Sequence, residues 1–169
     1  NSAYICSIME LCRNTFNVEA EAEVSLEANP GTVTFENLCA YKSAGINRLS
    51  MGLQAWQDSL LKQMGRIHSA GEFVENFKAS RQAGFDNINV DLIFGLPKQD
   101  MYQWQETLEN ILALKPRHVS AYSLKIEEGT PFGRMMESGE IVPAEDELDR
   151  EMYRHAIERM SCDGLYMYE

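Results

Sequence analysis

Basic residues are scarce in this chain of 169 residues. It has 15 lysines and arginines against 26 aspartates and glutamates, which gives a formal net charge of −11 at pH 7. Phosphate backbones and anionic lipid headgroups repel such a chain, so the composition argues against a nucleic-acid partner. No apolar run is long enough to cross a bilayer and no signal peptide is visible. We therefore expect a cytoplasmic protein without a membrane span.

Cysteine and histidine are also few. The cysteines show no C-x-x-C or other close ligand spacing, which favours small buried side chains in a reducing compartment over a metal or disulfide role. They are Cys6, Cys12, Cys39 and Cys162. The three histidines do not cluster along the chain either. Of these, His68 is the candidate contact of a site, because it follows Arg66 by two residues, whereas His118 and His155 are interpreted as structural or solvated.

The segment 87–97, NINVDLIFGLP, is the feature around which we interpret the rest. Its apolar residues are typical of a strand buried on both faces of a parallel sheet, and Gly95 and Pro97 end it. Asp91 is unexpected there, because a carboxylate within such a run is costly unless it is paired or hydrogen-bonded. Two interpretations stay open. Asp91 is either a structural residue bonded to loop amides or a residue that faces a ligand at the end of the strand.

Helical and strand patterns alternate along the chain. Alternation of this kind predicts an α/β fold with parallel strands and right-handed helical crossovers. The joints SAGIN (43–47) and QAGFD (82–86) occupy equivalent positions one unit apart, which favours a (β/α) barrel or part of one. An open doubly wound sheet is the alternative, weakened because no G-x-G-x-x-G follows a strand. The predicted helices are 3–16, 34–44, 57–64, 69–84, 101–114 and 143–162; the strands are 24–27, 46–54, 87–95, 118–126 and the beginning of one at 165–169, with a loop at 127–139. Thr34, Ser69 and Asp100 are the predicted N-caps of three of these helices, and Glu72 is predicted to complete a capping box with Ser69.

Several polar side chains fall at the predicted carboxyl ends of the strands, where barrels carry their chemistry. The set contains carboxylates, an amide, a guanidinium and a lysine. It suits a zwitterionic ligand with hydroxyl groups, because carboxylates hold an ammonium and a guanidinium forks onto a carboxylate. The alternative is that these groups satisfy one another inside the barrel. The candidates are Glu27, Gln54, Arg66, Asp91 and Lys125.

Five motifs at these positions resemble one family of proteins. The chain is similar to the radical S-adenosylmethionine enzymes of the oxygen-independent coproporphyrinogen III oxidase group, and within it to the haem chaperone (HemW-type) branch. Where this chain has GRIH, the oxidase proper has a motif that resembles N-R-x-Q. The oxidase also lacks the EEGTPF motif that this chain has. The motifs are LEANPG (26–31), NRLSMGLQ (47–54), GRIH (65–68), NVDLIFGLP (89–97) and SAYSLKIEEGTPF (120–132).

The resemblance implies a role for each of the five candidates in binding S-adenosylmethionine. It implies Glu27 for the amino group, Arg66 for the carboxylate, and Gln54 and Asp91 for the ribose. A backbone contact near Lys125 is also implied. These assignments agree with the chemistry expected of the residue types.

The chain departs from the family in one respect. The C-x3-C-x2-C loop that holds a [4Fe–4S] cluster, and the Gly-Gly-Gly-Thr-Pro stretch that contacts the methionine moiety, are missing from the sequence. We therefore expect 1–169 to be a single domain that forms the central part, about strands 3–6, of a partial (β/α)6 TIM-like barrel. We expect no catalytic residue and no metal ligand in it, and no activity by itself. Open sheet edges would favour self-association.

By the same resemblance, the intact protein would generate a 5′-deoxyadenosyl radical, or would bind haem and deliver it to an acceptor protein. The expected ligand is a tetrapyrrole, haem or coproporphyrinogen. The first alternative is a true oxidase that decarboxylates propionates. A second alternative is a barrel lyase with a Schiff base on Lys125, which requires that lysine to be buried with a lowered pKa. A third is a module that binds haem without turnover.

Overall fold

The computed structural model describes residues 2–168, which form seven helices and four strands. Helices and strands alternate through most of this region, as predicted. The helices are α1 (Ser2–Thr15), α2 (Phe35–Ser43), α3 (Asp58–Gln63), α4 (Ala70–Gln82), α5 (Met101–Ala113), α6 (Pro131–Glu137) and α7 (Asp146–Cys162); the strands are β1 (Ser25–Ala28), β2 (Arg48–Gln54), β3 (Asn87–Phe94) and β4 (His118–Ser123).

The four strands form one parallel sheet in the order β1-β2-β3-β4. Strand β1 pairs with β2 in a register that places Glu27 opposite Ser50. Each strand lies beside the next one in sequence, as in a (β/α) barrel, whereas a doubly wound sheet reverses its strand order. The predicted α/β fold with helical crossovers is confirmed.

The contacts within the chain define two compact units. The first comprises residues 2–53, 67–90 and 116–118, and the second comprises 54–66, 91–115 and 119–168. Each unit has its own set of buried apolar side chains. The prediction that 1–169 is a single domain stays a prediction.

The core of the first unit lies on one face of the sheet. Leu49 and Met51 of β2 and Ile88 and Val90 of β3 are fully or almost fully buried, and so is Phe73 of α4. Side chains alternate between the two faces of a strand, so these residues line a single apolar face. The other face of β3 is covered less evenly, because Asn89 is buried there whereas Asn87 and Asp91 are half-buried. It therefore differs from the apolar face mainly in being polar.

The core of the second unit is built around Trp104 of α5. Its ring lies 5.4 Å from the ring of Phe94, centroid to centroid. Its indole Nε1 donates a hydrogen bond of 2.8 Å to the carbonyl oxygen of Met152. A buried indole needs a partner for its N–H, and the backbone of α7 supplies it. Trp104 thus joins β3, α5 and α7 in one packed cluster.

Three helices begin at capping residues that the sequence indicated. Thr34 accepts a hydrogen bond from the backbone N–H of Asn37 at the start of α2. Ser69 and Glu72 form both bonds of a capping box at the start of α4. Asp100 caps α5, as predicted, and its box is completed by Gln103, which the sequence interpretation did not include. These caps satisfy N–H groups that the first turn leaves without partners.

The two equivalent joints seen in the sequence have the same structure. After α2, the N–H of Ile46 bonds to the carbonyl of Tyr41, and after α4 the N–H of Phe85 bonds to that of Ser80. Gly45 and Gly84 adopt φ values of 88° and 92° in the left-handed region. Each joint is a Schellman ending, in which glycine tolerates a conformation that a side chain would strain.

The structure corrects three predictions of secondary structure. The predicted loop 127–139 contains α6, whose start is capped by Thr130 and carries Pro131 in the first turn. Both residues are helix-start signals that the interpretation passed over. β4 ends at Ser123 rather than at 126. The predicted strand 165–169 is not formed over residues 165–168, and position 169 lies outside the described residues.

An ion pair on the second unit predicts a specific dependence of stability on pH. Arg159 of α7 donates hydrogen bonds to both carboxylate oxygens of Glu109 on α5, and these hold the pKa of Glu109 below its ordinary value of 4.5. A carboxyl whose pKa is lowered by folding stabilises the folded state above the ordinary pKa, and this contribution disappears as the pH falls through the lowered value. We expect Glu109→Gln to be less stable than the parent at pH 6, and we expect this difference to shrink as the pH falls from 6 to 3, by urea unfolding.

The control for this pair is Glu158→Gln, which removes the same charge from an exposed position of α7. It should follow the parent at both pH values. A gap between the parent and Glu109→Gln that is unchanged at pH 3 would contradict the argument.

Candidate functional site

A row of polar side chains crosses the sheet in the first unit. Asn89 of β3 is 2% exposed, and its amide nitrogen donates a 2.7 Å hydrogen bond to the hydroxyl oxygen of Ser50 on β2. Its amide oxygen lies 2.6 Å from Nδ1 of His118, which therefore carries the proton. Glu27, opposite Ser50 in the register, is exposed. These side chains define the polar face of the sheet, opposite the apolar face of the core.

Two further polar side chains follow along β3 and β4. Asp91 lies two residues after Asn89 on β3, and Tyr122 lies four residues after His118 on β4. Side chains separated by an even number of residues share a face of a strand. Asp91 and Tyr122 therefore stand on the polar face towards the carboxyl ends of their strands. Asp91 is half-buried, and it has hydrogen-bonding or electrostatic partners within the chain.

Gln54 ends β2 in an unusual backbone conformation. Its φ is 76°, in the left-handed region that non-glycine residues seldom adopt, and the residue is 4% exposed. The hydroxyl of Tyr122 donates a hydrogen bond of 3.4 Å to the amide oxygen Oε1 of Gln54. In the sheet order, β2 and β4 flank β3, so this bond passes over β3. The structure therefore brings together one predicted site residue, Gln54, and one that was not predicted, Tyr122.

Arg66 follows a Schellman ending like those after α2 and α4. Gly65 has a φ of 72°, and the N–H of Arg66 bonds to the carbonyl of Leu61. The equivalent positions after the other two helices hold Ile46 and Phe85, both buried. An apolar residue is usual there because it packs back on the helix. This helix has an arginine at that position, and it is half-buried.

His68 is held inside the first unit. It is 6% exposed, and its Nε2 lies 3.4 Å from the carbonyl oxygen of Leu53. A buried imidazole that bonds to the backbone of a neighbouring strand end supports the loop in which it lies. This contact favours a structural role over the predicted ligand contact.

Lys125 lies just beyond the end of β4 and faces solvent. Its side chain is 85% exposed, and its Nζ is 3.0 Å from a carboxylate oxygen of Glu127. A lysine that forms a Schiff base is activated by burial, so this exposure removes the basis of the lyase hypothesis. Lys125 and Glu127 line a small cavity of about 250 Å³ together with Met64 and Phe132.

A second cavity, of about 390 Å³, opens where β3 and β4 end in the second unit. Asp149 of α7 reaches this place and accepts a 2.5 Å hydrogen bond from the hydroxyl of Ser123. Gly95 keeps room for that carboxylate, because a Cβ at this position would lie 2.5 Å from Oδ1 of Asp149. The lining of this cavity mixes polar residues with apolar ones and includes none of the five predicted site residues.

The described residues hold no group of three or more His, Cys, Asp or Glu side chains that could bind a metal ion. Three of the cysteines are half-buried and Cys162 is exposed, none of them in a disulfide. A [4Fe–4S] cluster needs several thiolates gathered at one place. Residues 2–168 therefore do not fit such a cluster.

Two polar residues of the polar face were missed in the sequence. Asn89 and Tyr122 lie within runs that were interpreted as strand and motif, and neither was weighed as a functional side chain. The period of two along β3 and β4 would have aligned them with Asp91 and His118. Their hydrogen bonds, by contrast, depend on strand neighbours that only the sheet order supplies.

Comparison with known proteins identifies the group to which these features belong. Residues 4–111 match the family model of the radical SAM superfamily. The haem chaperone HemW of Bacillus subtilis is 37% identical over 148 residues, which are 88% of this chain and 39% of that protein. HemW of Synechocystis is 36% identical over 90% of this chain and 37% of its own length. The mitochondrial radical S-adenosyl methionine domain-containing protein 1 of Bos taurus is 33% identical over 98% and 37%.

Solved structures agree with this result. The coproporphyrinogen III oxidase HemN of Escherichia coli superimposes with a TM-score of 0.83 at 26% identity, over 97% of this chain and 38% of that one. Methylornithine synthase PylB, at 12% identity and a TM-score of 0.75, shows the same fold. The predicted TIM-like radical SAM barrel is confirmed, and so is the resemblance to the haem chaperone branch.

The chain spans about two fifths of the length of the three relatives named above. Among residues 2–168, no helix is both long enough and apolar enough to cross a membrane. The superfamily implies S-adenosylmethionine and a [4Fe–4S] cluster as cofactors. Since the family model matches residues 4–111, well over half of this chain, the chain belongs to the radical SAM superfamily.

Proposed function

We propose that this chain holds the nucleoside and amino-acid parts of S-adenosylmethionine in a haem chaperone of the radical SAM superfamily. The observation that carries the proposal is the identity of 37% to the Bacillus subtilis haem chaperone HemW, against 26% to the oxidase HemN. The motifs GRIH and EEGTPF support the same branch. When both cofactors are bound, the cluster and S-adenosylmethionine supply one-electron chemistry, and the protein supplies binding and orientation.

The proposed roles follow from the chemistry of the side chains. The half-buried guanidinium of Arg66 offers a planar fork for the carboxylate of the methionine moiety. The carboxylate of Glu27, exposed on β1, offers acceptors for its ammonium group. Gln54 and Asp91 offer a donor and an acceptor for the ribose hydroxyls. The backbone near Lys125 is proposed to contact the ligand, since the side chain of that lysine is engaged with Glu127.

The tetrapyrrole is the second ligand of the proposal. We propose haem as the cargo and another protein as its acceptor, because the bacterial relatives named above are haem chaperones. A cytoplasmic location belongs to this proposal as well. Self-association through open strand edges stays a prediction.

The test uses the protein at its full natural length, reconstituted anaerobically with iron and sulfide. The expected result is stoichiometric haem binding, seen as a shift of the Soret absorbance, and binding of S-adenosylmethionine without decarboxylation of coproporphyrinogen. A protein that binds neither haem nor S-adenosylmethionine would contradict the proposal.

The alternative is a true coproporphyrinogen III oxidase. It is favoured by one observation, the superposition on HemN over 97% of this chain with a TM-score of 0.83. In the same assay it predicts loss of carbon dioxide from the propionate groups of coproporphyrinogen. Detection of that product by mass spectrometry would replace the chaperone proposal.

A further inference from the structure

We propose that Tyr122 is a positioning residue, which turns the amide of Gln54 so that its N–H groups face the ligand. The ligand is then a ribonucleoside whose adjacent hydroxyls are read by one donor and one acceptor. This inference rests on the proposed S-adenosylmethionine site and adds to it a new residue, Tyr122, which bonds to Gln54.

The starting point is the confinement of Gln54. The residue is 4% exposed and its φ of 76° lies in the left-handed region. That conformation is unfavourable for a side chain larger than glycine and persists where the surrounding structure holds it. A glutamine buried at the end of a strand in this conformation has its side chain directed by its neighbours. Tyr122 is the neighbour that bonds to it.

The direction of the hydrogen bond between Tyr122 and Gln54 decides which end of the Gln54 amide is offered to the ligand. A glutamine amide accepts at its oxygen and donates through two N–H groups at its nitrogen. The hydroxyl of Tyr122 donates to Oε1. The oxygen is thereby occupied, and the two N–H donors of Nε2 remain for other partners. A phenylalanine in place of Tyr122 would remove the contact that distinguishes the two ends, and the amide could turn over.

Asp91, on the same polar face, supplies a hydrogen-bond acceptor, whereas Gln54 supplies donors. It is a carboxylate, which accepts hydrogen bonds and does not donate them when ionised. Gln54 and Asp91 together therefore offer one donor and one acceptor. Two adjacent hydroxyls match this pair, because one hydroxyl can accept from Gln54 while the other donates to Asp91. A sugar that lacks one of these hydroxyls leaves one protein group unsatisfied, which is costly in a buried place.

The experiment measures binding by calorimetry in the protein at its full natural length with its cluster reconstituted. The ligands are S-adenosylmethionine and its 2′-deoxy and 3′-deoxy analogues. The proteins are the parent, Tyr122→Phe, Gln54→Ala and the double variant. Loss of one neutral hydrogen bond predicts that Tyr122→Phe binds S-adenosylmethionine about 3–10-fold more weakly. The parent should prefer S-adenosylmethionine over the deoxy analogue that lacks the hydroxyl bound by Gln54. In Tyr122→Phe this ratio of affinities should shrink by a similar factor.

The double variant separates positioning from a general structural effect. If Tyr122 acts through Gln54, then Tyr122→Phe should have no further effect in the Gln54→Ala background. The matched control is Tyr102→Phe, which removes a hydroxyl from an exposed tyrosine of α5 and should bind as the parent does. A midpoint temperature of thermal unfolding equal to that of the parent would show that Tyr122→Phe keeps the fold.

The outcomes distinguish this inference from the proposed function. Equal binding and equal sugar preference in the parent and Tyr122→Phe would overturn the positioning role while leaving the S-adenosylmethionine site in place. Additive effects in the double variant would overturn it too. A parent protein that binds none of the three ligands would overturn the proposed function, and the inference with it.

Discussion

Trp104→Ala is expected to lower the free energy of unfolding by about 3–5 kcal/mol, the range for removing a large aromatic side chain from a packed core. Trp104 is fully buried, packs on Phe94 and donates its indole N–H to the carbonyl of Met152. The substitution leaves a cavity and also removes the second hydrogen bond that the Met152 carbonyl, inside α7, accepts. Urea unfolding followed by far-ultraviolet circular dichroism measures the loss.

Two further variants isolate the causes of this effect. Tyr102→Ala removes an aromatic ring from the same helix at a position 72% exposed, and it should change stability by no more than about 0.5 kcal/mol. Trp104→Phe keeps an aromatic ring and loses the hydrogen bond, and a loss of about 0.5–1.5 kcal/mol is expected from that bond, with a further loss from the smaller ring. A change below about 1 kcal/mol for Trp104→Ala would show that α5 and α7 do not depend on this contact.

Arg66→Ala is expected to weaken the binding of S-adenosylmethionine by about 10–100-fold. A hydrogen bond to a charged group contributes about 1.5–3 kcal/mol, and 1.4 kcal/mol corresponds to a factor of ten in affinity. The proposed partner is the ligand carboxylate, for which the guanidinium fork is suited. Arg66→Lys should recover part of the affinity, because it restores the charge without the two parallel donors. Calorimetry on the reconstituted protein at full natural length measures both.

The control for Arg66 is Lys62→Ala, which removes the same charge from an exposed position of α3. It tests whether net charge alone attracts the ligand, and its affinity should stay within a factor of two or so of the parent. If S-adenosylmethionine lacking its carboxyl group lost affinity equally in the parent and in Arg66→Ala, then Arg66 would not be the carboxylate partner.

Local chemistry made much of the fold predictable. Thr34, Ser69 and Asp100 begin helices because their side chains cap N–H groups that lie within three residues of them. Gly45 and Gly84 end helices because glycine accepts a positive φ. α6 was missed although Thr130 and Pro131 carry the same signals, since their short segment has no clear apolar period.

The candidate site was predictable only in part. Asp91 was predicted because a carboxylate is unusual inside an apolar strand, and Arg66 because it lies just beyond the predicted end of the second strand. Lys125 was predicted because it lies in the segment 123–127 at the end of a predicted strand. Its side chain is 85% exposed beside Glu127. Exposure is set by the whole fold, so a pattern of letters could not reveal it.

The sequence by itself determined the order of helices and strands, the ends of most of them and the family resemblance, because capping, turn geometry and side-chain period act over a few residues. The tertiary structure decided which residues meet across strands. Ser50, Asn89 and His118 are joined by hydrogen bonds although they are 39 and 29 residues apart along the chain. Gln54 meets Tyr122 over a separation of 68 residues. Such contacts depend on strand order and register, which long-range packing sets and no local pattern encodes.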